Sequence, residues 1–516
     1  MENTSENKFL RLSGIAEISA ESGADYTLPD YLGDVRKILF TECVAKESGH
    51  FSDESGDEFS GIVVYDIVYL DAEGKPTRAS FTSDYELRLK GDEAREAAIC
   101  SPAVSSYSIR LNGPRRISAR ASVGASVKCV CSDEIVQMGT AFDEGERLQR
   151  KEILLNMRCA RASEKVEREF AEKVEWIEGA VADEVEVIYS TADALVHKAV
   201  AEEDGVKLEG ELSISALISN DSAPLYLAQK TVPFEVVVPM ELDGCDMKLL
   251  PFAEIVSVTA NVNPDEAGAE VVVSAIAEFF AIGEYNTQKK VSEDAFLAYG
   301  EVENTYREYR YSELCDLASV CLCGSADLGL DKLSPEKIRD IPYLSATAKV
   351  ENAEARDGEV VLSGELRAVG VASIIDEAGG ISYTGLKFSL PFEETVKACV
   401  PQGDNVRIEH AASVNGISAL VDTDTAKISY KLSLNLVGSQ ARSARVLSSS
   451  EASQTDVREK EMSVTVYYPT DEDTLFGVAK KFRVPLGKIA AANDISSSAS
   501  AGDDTSLCGV SRLFIY

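Results

Sequence analysis

The stretch Ala426-Lys427-Ile428-Ser429-Tyr430-Lys431-Leu432-Ser433-Leu434-Asn435-Leu436 indicates the kind of fold that this chain adopts. Large apolar or aromatic side chains occupy every second position from Ile428 to Leu436, and Ser, Lys and Asn fill the positions between them. Because successive side chains of a strand point to opposite faces, this period predicts a strand with one buried face and one solvated face. Such strands are typical of antiparallel sheets.

One sequence pattern occurs three times, at intervals of about 150 residues, which is longer than the repeats of solenoid proteins. Each copy has a glycine followed by alternating apolar positions, at Gly61, Gly210 and Gly364. A turn-rich gap then leads to a second motif, which is centred on Tyr85, Pro233-Phe234 and Pro391-Phe392. The two prolines are expected at a strand start or a sheet edge, because proline has no N–H to donate to a neighbouring strand.

A chain of 516 residues is too long for one hydrophobic core and is expected to divide into domains. The pattern predicts a mainly β protein, with three tandem antiparallel β-sandwich-like or barrel-like repeat domains and a small C-terminal βααβ module. The expected bounds are a polar tail at 1–14, repeats at 15–162, 163–310 and 311–437, a linker at 438–461 and the module at 462–516. The linker region is rich in Ser and Ala, which predicts a flexible tether and an independently moving module. Outside the module, residues 92–98 and 163–173 are the best candidates for helices.

The C-terminal module has the pattern strand, helix, helix, strand. Residues 464–467 alternate like a short strand, and Asp473 is the expected cap of a helix with Leu475, Val478, Ala479 and Phe482 on one face. Pro485 suits the first turn of a second helix, which Asn493 closes. Residues 512–515 form the predicted final strand.

This module resembles a LysM module. The matching residues are Asp473-Thr474-Leu475, Val478-Ala479-Lys480-Lys481-Phe482-Arg483-Val484, Ile489, Asn493 and Leu513-Phe514-Ile515. The resemblance implies a groove between two loops, whose candidate binding residues are Asp471, Glu472, Asp473, Thr474, Leu475, Asn493, Asp494, Ile495 and Ser496. Glu472 stands where the family pattern has Gly, and neither loop carries an aromatic residue. Both departures weaken the interpretation as a glycan site.

The order of the motifs resembles that of bacterial endospore coat morphogenetic proteins, in which repeated SPOCS-type β domains precede one C-terminal LysM module. The residues that carry this resemblance are Gly210 and Gly364 in Gly-Glu-Leu blocks, the two Pro-Phe motifs and the LysM tail. The resemblance implies a non-catalytic scaffold or adaptor in coat assembly. Its LysM-like tail would bind a coat-basement morphogenetic ATPase at the forespore surface, in the mother-cell cytoplasm. The alternative is a protein that binds peptidoglycan or its lipid-linked precursor through LysM.

The formal net charge of −36 disfavours some partners. A strongly acidic chain repels nucleic-acid phosphates and the surface of an anionic membrane, so no nucleic-acid partner is expected. Residues 1–11 lack the apolar segment of a signal peptide, and no stretch is as long as a transmembrane helix. The chain is therefore expected not to be secreted and to remain in the cytoplasm.

The sequence offers little for catalysis. The three histidines, His50, His197 and His410, lie in no catalytic motif, and phosphate-binding loops are absent from the sequence. We therefore expect no enzyme activity and no cofactor. A wall hydrolase ranks last, since three copies of one β repeat leave no separate catalytic domain.

Cysteine spacing does not predict a metal site. The pairs Cys129/Cys131 and Cys321/Cys323 each place two sulfurs on one strand face, where they could bind metal or form a disulfide. They lack the spacing of a zinc knuckle, so no metal is predicted. The lone Trp176 is expected to pack in a core or between domains.

Overall fold

A computed structural model describes residues 8–53, 55–91, 95–134, 148–220, 223–242, 246–375, 380–452, 464–495 and 505–516. Strands make up most of these residues and all strand pairs are antiparallel, which confirms the mainly β prediction. None of the helices in these ranges is long and apolar enough to cross a membrane.

The first unit, residues 8–134, is a sandwich of two three-stranded sheets. Its strands are β1 (Lys8–Thr27), β2 (Lys37–Asp53), β3 (Gly56–Leu70), β4 (Pro76–Lys90), β5 (Arg95–Gly113) and β6 (Arg116–Glu134). The strand order is β1-β6-β5 in one sheet and β2-β3-β4 in the other. Alternate side chains from both sheets, such as Tyr65 and Val123, are buried in one core between them. Each strand thus buries one face, as period two requires.

The second and third units repeat this topology. The second unit contains β7 (Leu148–Ala162), β8 (Val166–Glu178), β9 (Val185–Glu202), β10 (Gly205–Asn220), β11 (Ala223–Pro239), β12 (Lys248–Asp265) and β13 (Gly268–Leu297). The third contains β14 (Val302–Gly329), α1 (Leu330–Leu333), β15 (Ile338–Arg356), β16 (Glu359–Ile375), β17 (Ile381–Lys397), β18 (Val406–Asp422) and β19 (Thr425–Ala452). The sheets β11-β10-β9 and β15-β16-β17 match β2-β3-β4, and β14-β19-β18 matches β1-β6-β5. In the second unit, β7 and β8 pair in succession with the long β13.

The recurring glycines have a steric role that the three units share. Gly61, Gly210 and Gly364 lie opposite Tyr85, Phe234 and Phe392 in the strand register. A Cβ atom at Gly210 would overlap the Leu195 carbonyl oxygen on one side and contact the Phe234 ring on the other. An aromatic ring that covers a strand glycine also pins the register. The structure therefore explains why the glycine block and the aromatic motif occur together, including in the divergent first copy.

The three units meet around an aromatic triad. Phe40, Tyr189 and Tyr343 contribute one ring from each unit, and the ring centroids lie 4.9 to 5.5 Å apart. Both tyrosine hydroxyls donate to the Glu42 carboxylate, at 2.5 Å from Tyr189 and 2.8 Å from Tyr343. Because all three rings are buried, the units share a hydrophobic core and are not independently packed domains.

A second junction is ionic. Arg158 of β7 is 2% exposed and donates to Glu284 of β13 and to Glu409 of β18. Lys128 of β6 contacts the same two carboxylates. The four side chains therefore join all three units, with two positive and two negative charges.

The observed unit bounds differ from the predicted ones. Residues 8–14 belong to β1 and are not a tail, and β7 belongs to the second unit although it falls within the predicted repeat 15–162. The predicted boundaries at 310/311 and 437/438 lie inside β14 and β19. In the third unit the reason is that β14 and β19 pair along their whole length, which carries both strands beyond the sandwich.

The predicted linker is also wrong for residues 438–452, because β19 continues through them in pairing with β14. Val446 and Leu447 of this segment are buried against the β7–β13 ribbon. Residues 453–463 lie outside the described residues. The helix predicted at 163–173 is mostly the strand β8, and residues 95–98 of the other predicted helix belong to β5. Trp176 is 36% exposed at the end of β8, and its indole N–H donates to Asp265.

The C-terminal module has the predicted order of elements. It contains β20 (Thr465–Tyr467), α2 (Leu475–Phe482), α3 (Leu486–Ala492) and β21 (Leu513–Ile515), and β20 pairs with β21. Its small core includes Leu475, Val478, Ile489 and Leu513. Phe296 of β13 also belongs to this core and is 3% exposed. The second unit thus supplies a ring that completes the module.

The module is attached to the body by further contacts around Phe296. The Phe296 and Phe476 rings meet edge to face, with centroids 5.3 Å apart. Lys480 pairs with Asp294, and Arg483 pairs with Glu301 at 2.9 Å. The predicted independent motion of the module is therefore wrong for this structure, since a shared apolar core and ion pairs hold it in place.

Candidate functional site

Helix α2 begins at a cap that fixes the first groove loop. The Thr474 hydroxyl accepts a hydrogen bond from the Gly477 N–H at 3.1 Å, which makes Thr474 the N-cap residue. The predicted cap was Asp473, one residue earlier, and this prediction is wrong. Thr and Asp are both good N-cap residues, so their order alone did not decide which one caps the helix.

Asp473 instead organises the turn before the helix. Its carboxylate accepts hydrogen bonds from the backbone N–H and hydroxyl of Thr470, at 2.7 and 3.0 Å, and from the Tyr467 hydroxyl at 3.0 Å. The bond from the Thr470 N–H is the main reason why the pKa of Asp473 lies below its usual value. This side chain is therefore ionised and already engaged within the loop.

We expect Thr474→Ala to lower the free energy of unfolding of the C-terminal module by about 0.5–2 kcal/mol, because the first turn of α2 loses its cap. Hydrogen exchange of peptides from α2, measured in the full chain, tests this. Ser511→Ala, at an exposed serine of the same module, is the control and should leave exchange unchanged. Equal exchange in the two variants would contradict the assignment of Thr474 as the cap.

The second groove loop is held by Asn493. Its amide group donates to the carbonyl oxygens of Ile489 at 2.8 Å and Phe514 at 2.7 Å, and accepts from the Phe514 N–H at 2.6 Å. The amide thus ties the end of α3 to β21 and is not directed at a ligand. Asp494 follows in the left-handed region with a φ of 50°. Ser496, the last predicted site residue, lies outside the described residues.

A segment that the sequence analysis missed lies beside the first loop. Leu475 N–H donates to Thr505 O at 2.9 Å, and Leu507 N–H donates to Asp473 O at 3.0 Å. The Cys508 sulfur lies 3.6 Å from the Asp471 carboxylate. Residues 505–508 therefore lie alongside the first loop and are hydrogen-bonded to it.

The predicted site residues separate into supports and exposed groups. Leu475 is buried in the module core and Ile495 packs against it, so neither offers its side chain to a ligand. The side chains that remain exposed are Asp471, Glu472 and Asp494. The described loops therefore present three carboxylates, which accept hydrogen bonds from hydroxyl groups and attract ammonium or guanidinium groups.

The other candidate residues of the sequence analysis have structural contacts of their own. His50 lies 3.0 Å from Asp57 and stacks on Phe59, and burial lowers the pKa of His410 in β18. His197 is 3.6 Å from Glu211. Cys129 and Cys131 are buried in β6, whereas Cys321 and Cys323 are exposed on β14. Among the described residues, no group of three or more His, Cys, Asp or Glu side chains could hold a metal ion.

Comparison with protein-family models identifies a LysM domain at residues 470–499. This range covers the first loop, both helices and the start of the second loop. A LysM domain suggests binding of peptidoglycan or another carbohydrate. Comparison with curated proteins finds no match, and comparison with solved structures finds none either.

Proposed function

We propose that this protein is a non-catalytic adaptor in endospore coat assembly, which uses its LysM domain to bind a coat-basement ATPase at the forespore surface. It would act in the mother-cell cytoplasm. The observation that carries the proposal is the way in which the LysM domain is mounted on the body. One face of the domain is fixed to the β units, and the loop residues on which a partner would dock are exposed.

The mounting face consists of the α2 surface and the turn that follows it. Phe476, Lys480 and Arg483 contact the body at Phe296, Asp294 and Glu301. Asp471, Glu472 and Asp494 are not among these contacts and are exposed. A partner can therefore reach the loops while the domain stays attached, which is what an adaptor requires.

The charge of the loops favours a basic protein surface over a neutral acetamido sugar. Arg and Lys side chains form strong charge-assisted hydrogen bonds to carboxylates, whereas a neutral sugar gains no charge pairing from them. Glu472 adds one of these carboxylates at the family's glycine position. Carboxylates at the rim of an interface also accelerate association with a basic partner.

The body supports the scaffold role because its three units are firmly joined and together offer an extended surface. Its three units share the aromatic triad and the Arg158 cluster, so contacts made by any unit are held at fixed positions relative to the LysM domain. Several weak contacts from one such chain to a polymerised layer would gain avidity.

The second candidate function is binding of peptidoglycan or its lipid-linked precursor, which the LysM match itself favours. It assigns the same loops to a glycan chain. Under this alternative Glu472 should hinder binding, so Glu472→Gly, which restores the family residue, should strengthen retention on peptidoglycan. Under the adaptor proposal the same change removes a contact to the partner.

The test compares two immobilised ligands, a purified coat-basement ATPase and purified peptidoglycan, with the full chain in solution. The triple variant Asp471→Asn, Glu472→Gln, Asp494→Asn should bind the ATPase at least about tenfold more weakly, because rim charge pairs are lost. The control is Glu202→Gln, Glu203→Gln, Asp204→Asn, at three exposed carboxylates around the β9–β10 turn. The control should bind like the unmodified chain.

Two results would overturn the proposal. Saturable retention on peptidoglycan that Glu472→Gly strengthens, without binding to the ATPase, would establish the glycan alternative. Turnover of labelled peptidoglycan by the full chain would reject the non-catalytic role.

A further inference from the structure

A cleft with a volume of about 590 Å³ lies between the second and third units. One side of the cleft is the outer face of the sheet β11-β10-β9, which points away from the core of the second unit. The other side comes from β14, β15, β18 and β19 of the third unit. The volume is within the roughly 300–1,000 Å³ that is typical of sites for small molecules.

The outer face of the β11-β10-β9 sheet changes from apolar to polar along its strands. One row of neighbouring residues, Tyr189, Leu217 and Leu227, packs into the core that the units share. The next two rows on this face are polar and line the cleft: Thr191, Ser215 and Gln229, then Asp193, Ser213 and Thr231. Apolar side chains in these rows would extend the shared core and stabilise the junction further. The polar rows therefore indicate a role other than packing.

Two of the polar side chains have no partner within the protein. Ser215 is 7% exposed, and its hydroxyl forms no hydrogen bond with any residue that the structure describes. Asp193 is partly buried and, within the same ranges, forms neither a hydrogen bond nor an ion pair. Because buried polar groups are normally hydrogen-bonded, both side chains indicate that the cleft receives a polar molecule.

The protonation of Asp193 suits a ligand that carries hydroxyl groups. Burial, with a smaller effect from the Glu42 carboxylate, raises the pKa of Asp193 to about 7. Near neutral pH this carboxyl group is therefore present in both its protonated and its ionised form. The first form can donate a hydrogen bond, and both forms can accept one.

The third unit adds hydroxyl and ammonium groups on the opposite side of the cleft. Ser345 of β15 and Ser429 of β19 line it together with Lys427 and Lys431. Ser429 and the two lysines alternate with the buried residues of β19 and are exposed. The polar face of this strand therefore forms the open side of the cleft.

Asn415 of β18 ties the two sides of the cleft together. Its amide group donates to the Ala194 carbonyl oxygen of the second unit at 3.2 Å and accepts from the Ser433 hydroxyl of the third unit at 2.5 Å. The cleft is thus already formed without a ligand, which reduces the loss of conformational entropy on binding.

We propose that this cleft binds a short, neutral oligosaccharide. Each Ser or Thr hydroxyl both donates and accepts hydrogen bonds, so a lining rich in hydroxyls matches a ligand that presents hydroxyls on all sides. One carboxyl group faces two ammonium groups, which gives the cleft no strong preference for a highly charged molecule. The site belongs to the β units and is separate from the LysM loops, so it goes beyond the function proposed above.

Isothermal titration calorimetry of the full chain with maltotriose and with cellotriose tests the proposal. We expect saturable binding of one molecule per chain for at least one of the two sugars. The double variant Thr191→Val, Ser215→Ala removes two hydroxyls with little change of shape, so its affinity should be at least about tenfold lower. Circular dichroism should show that the variant is folded, because Val and Ala replace groups without introducing a buried polar atom.

The matched control is Ser389→Ala, Thr395→Val, at two exposed hydroxyls of β17 that do not line the cleft. It should bind the sugar like the unmodified chain. The LysM loop variant Asp471→Asn, Glu472→Gln, Asp494→Asn should also keep this binding, which separates the cleft from the LysM site. Absence of saturable binding of both sugars, equal weakening by the control, or loss of binding in the LysM loop variant would overturn the proposal.

Discussion

Arg158→Ala is expected to lower the free energy of unfolding of the body by about 3–5 kcal/mol, because it removes a buried cation that compensates the buried carboxylate of Glu284 and the partly buried carboxylate of Glu409. Glu284 is fully buried and Glu409 is 15% exposed, and both accept hydrogen bonds from Arg158. Lys128 alone cannot balance both charges. Urea unfolding followed by circular dichroism measures the change.

The pH dependence of this effect has a definite sign. Burial alone would raise the pKa of Glu284, but hydrogen bonds and charge from Arg158, with Lys128, outweigh it and lower the pKa. A carboxyl whose pKa is lowered on folding stabilises the protein above its unfolded pKa, and this stabilisation is lost as the pH falls through the folded value. In Arg158→Ala the Glu284 carboxylate has lost its main positive partner. The folded state of this variant therefore becomes more stable when Glu284 takes up a proton. The deficit of the variant should therefore be larger at pH 7 than at pH 4.

An exposed arginine provides the comparison for Arg158. Arg356 and Glu354 form a surface pair in which both side chains are more than half exposed. Arg356→Ala should leave the free energy of unfolding nearly unchanged, because a solvent-exposed pair contributes little to stability. If Arg158→Ala were as mild as Arg356→Ala, the four-residue cluster would not be holding the three units together.

The repeat could be predicted from sequence because its rules are local. Period-two alternation fixes which face of each strand is buried, and the order of glycine and aromatic motifs marks equivalent strands. Gly364 and Phe392 show why these motifs can be found from the sequence. They face each other within one hairpin, formed by β16 and β17, so they are close in the chain as well as in space. The Phe392 ring and the Lys349 carbonyl oxygen leave no room for a Cβ atom at position 364, so the glycine and the aromatic residue occur together, and the sequence shows both.

The errors come from long-range pairing. Strand β7 pairs with residues of β13 more than 100 positions later, so nothing near residue 148 marks the start of a unit. Val166, Phe170 and Val174 are spaced by four, which suits a helix face and equally one face of a strand. Because this segment pairs with β13, it forms a strand and not a helix. The Ser-rich segment 438–452 has the composition of a linker, yet β14 provides it with a partner.

The positions of the two loops of the candidate site could be predicted from the sequence. The roles of the individual residues in these loops could not. The family pattern located both loops, and exposed Asp471, Glu472 and Asp494 lie in them as expected. It could not show that the amide of Asn493 is engaged with β21, or that Thr474 rather than Asp473 caps α2. These roles depend on hydrogen bonds to residues that are distant in the sequence or one position apart in the same turn.

Phe296→Ala is the second change with a large expected effect. This residue lies in the body, yet its ring is buried in the core of the LysM domain beside Phe476. Truncation of a buried phenylalanine costs about 3–5 kcal/mol, because apolar contact is lost and a cavity is left. We expect this loss to appear in the LysM domain and not in the first unit.

Hydrogen exchange of the full chain, read by mass spectrometry, separates these regions. A loss of about 3–5 kcal/mol corresponds to a protection factor at least about a hundredfold lower in peptides from α2 and α3, where exchange follows local opening. Peptides from β3 and β6, in the first unit, should keep their protection. Phe51→Ala is the matched control, because Phe51 is a phenylalanine of the first unit that is 65% exposed.

The outcome distinguishes a docked domain from a tethered one. If the LysM domain folds alone and moves on a flexible linker, Phe296→Ala leaves exchange in α2 and α3 unchanged. If Phe296 completes its core, protection falls there and the Lys480–Asp294 and Arg483–Glu301 pairs, which are partly exposed, cannot make up the difference. A domain whose core includes a residue of the second unit keeps its loops at a fixed position relative to the body, so this measurement also tests the rigid mounting on which the adaptor proposal depends.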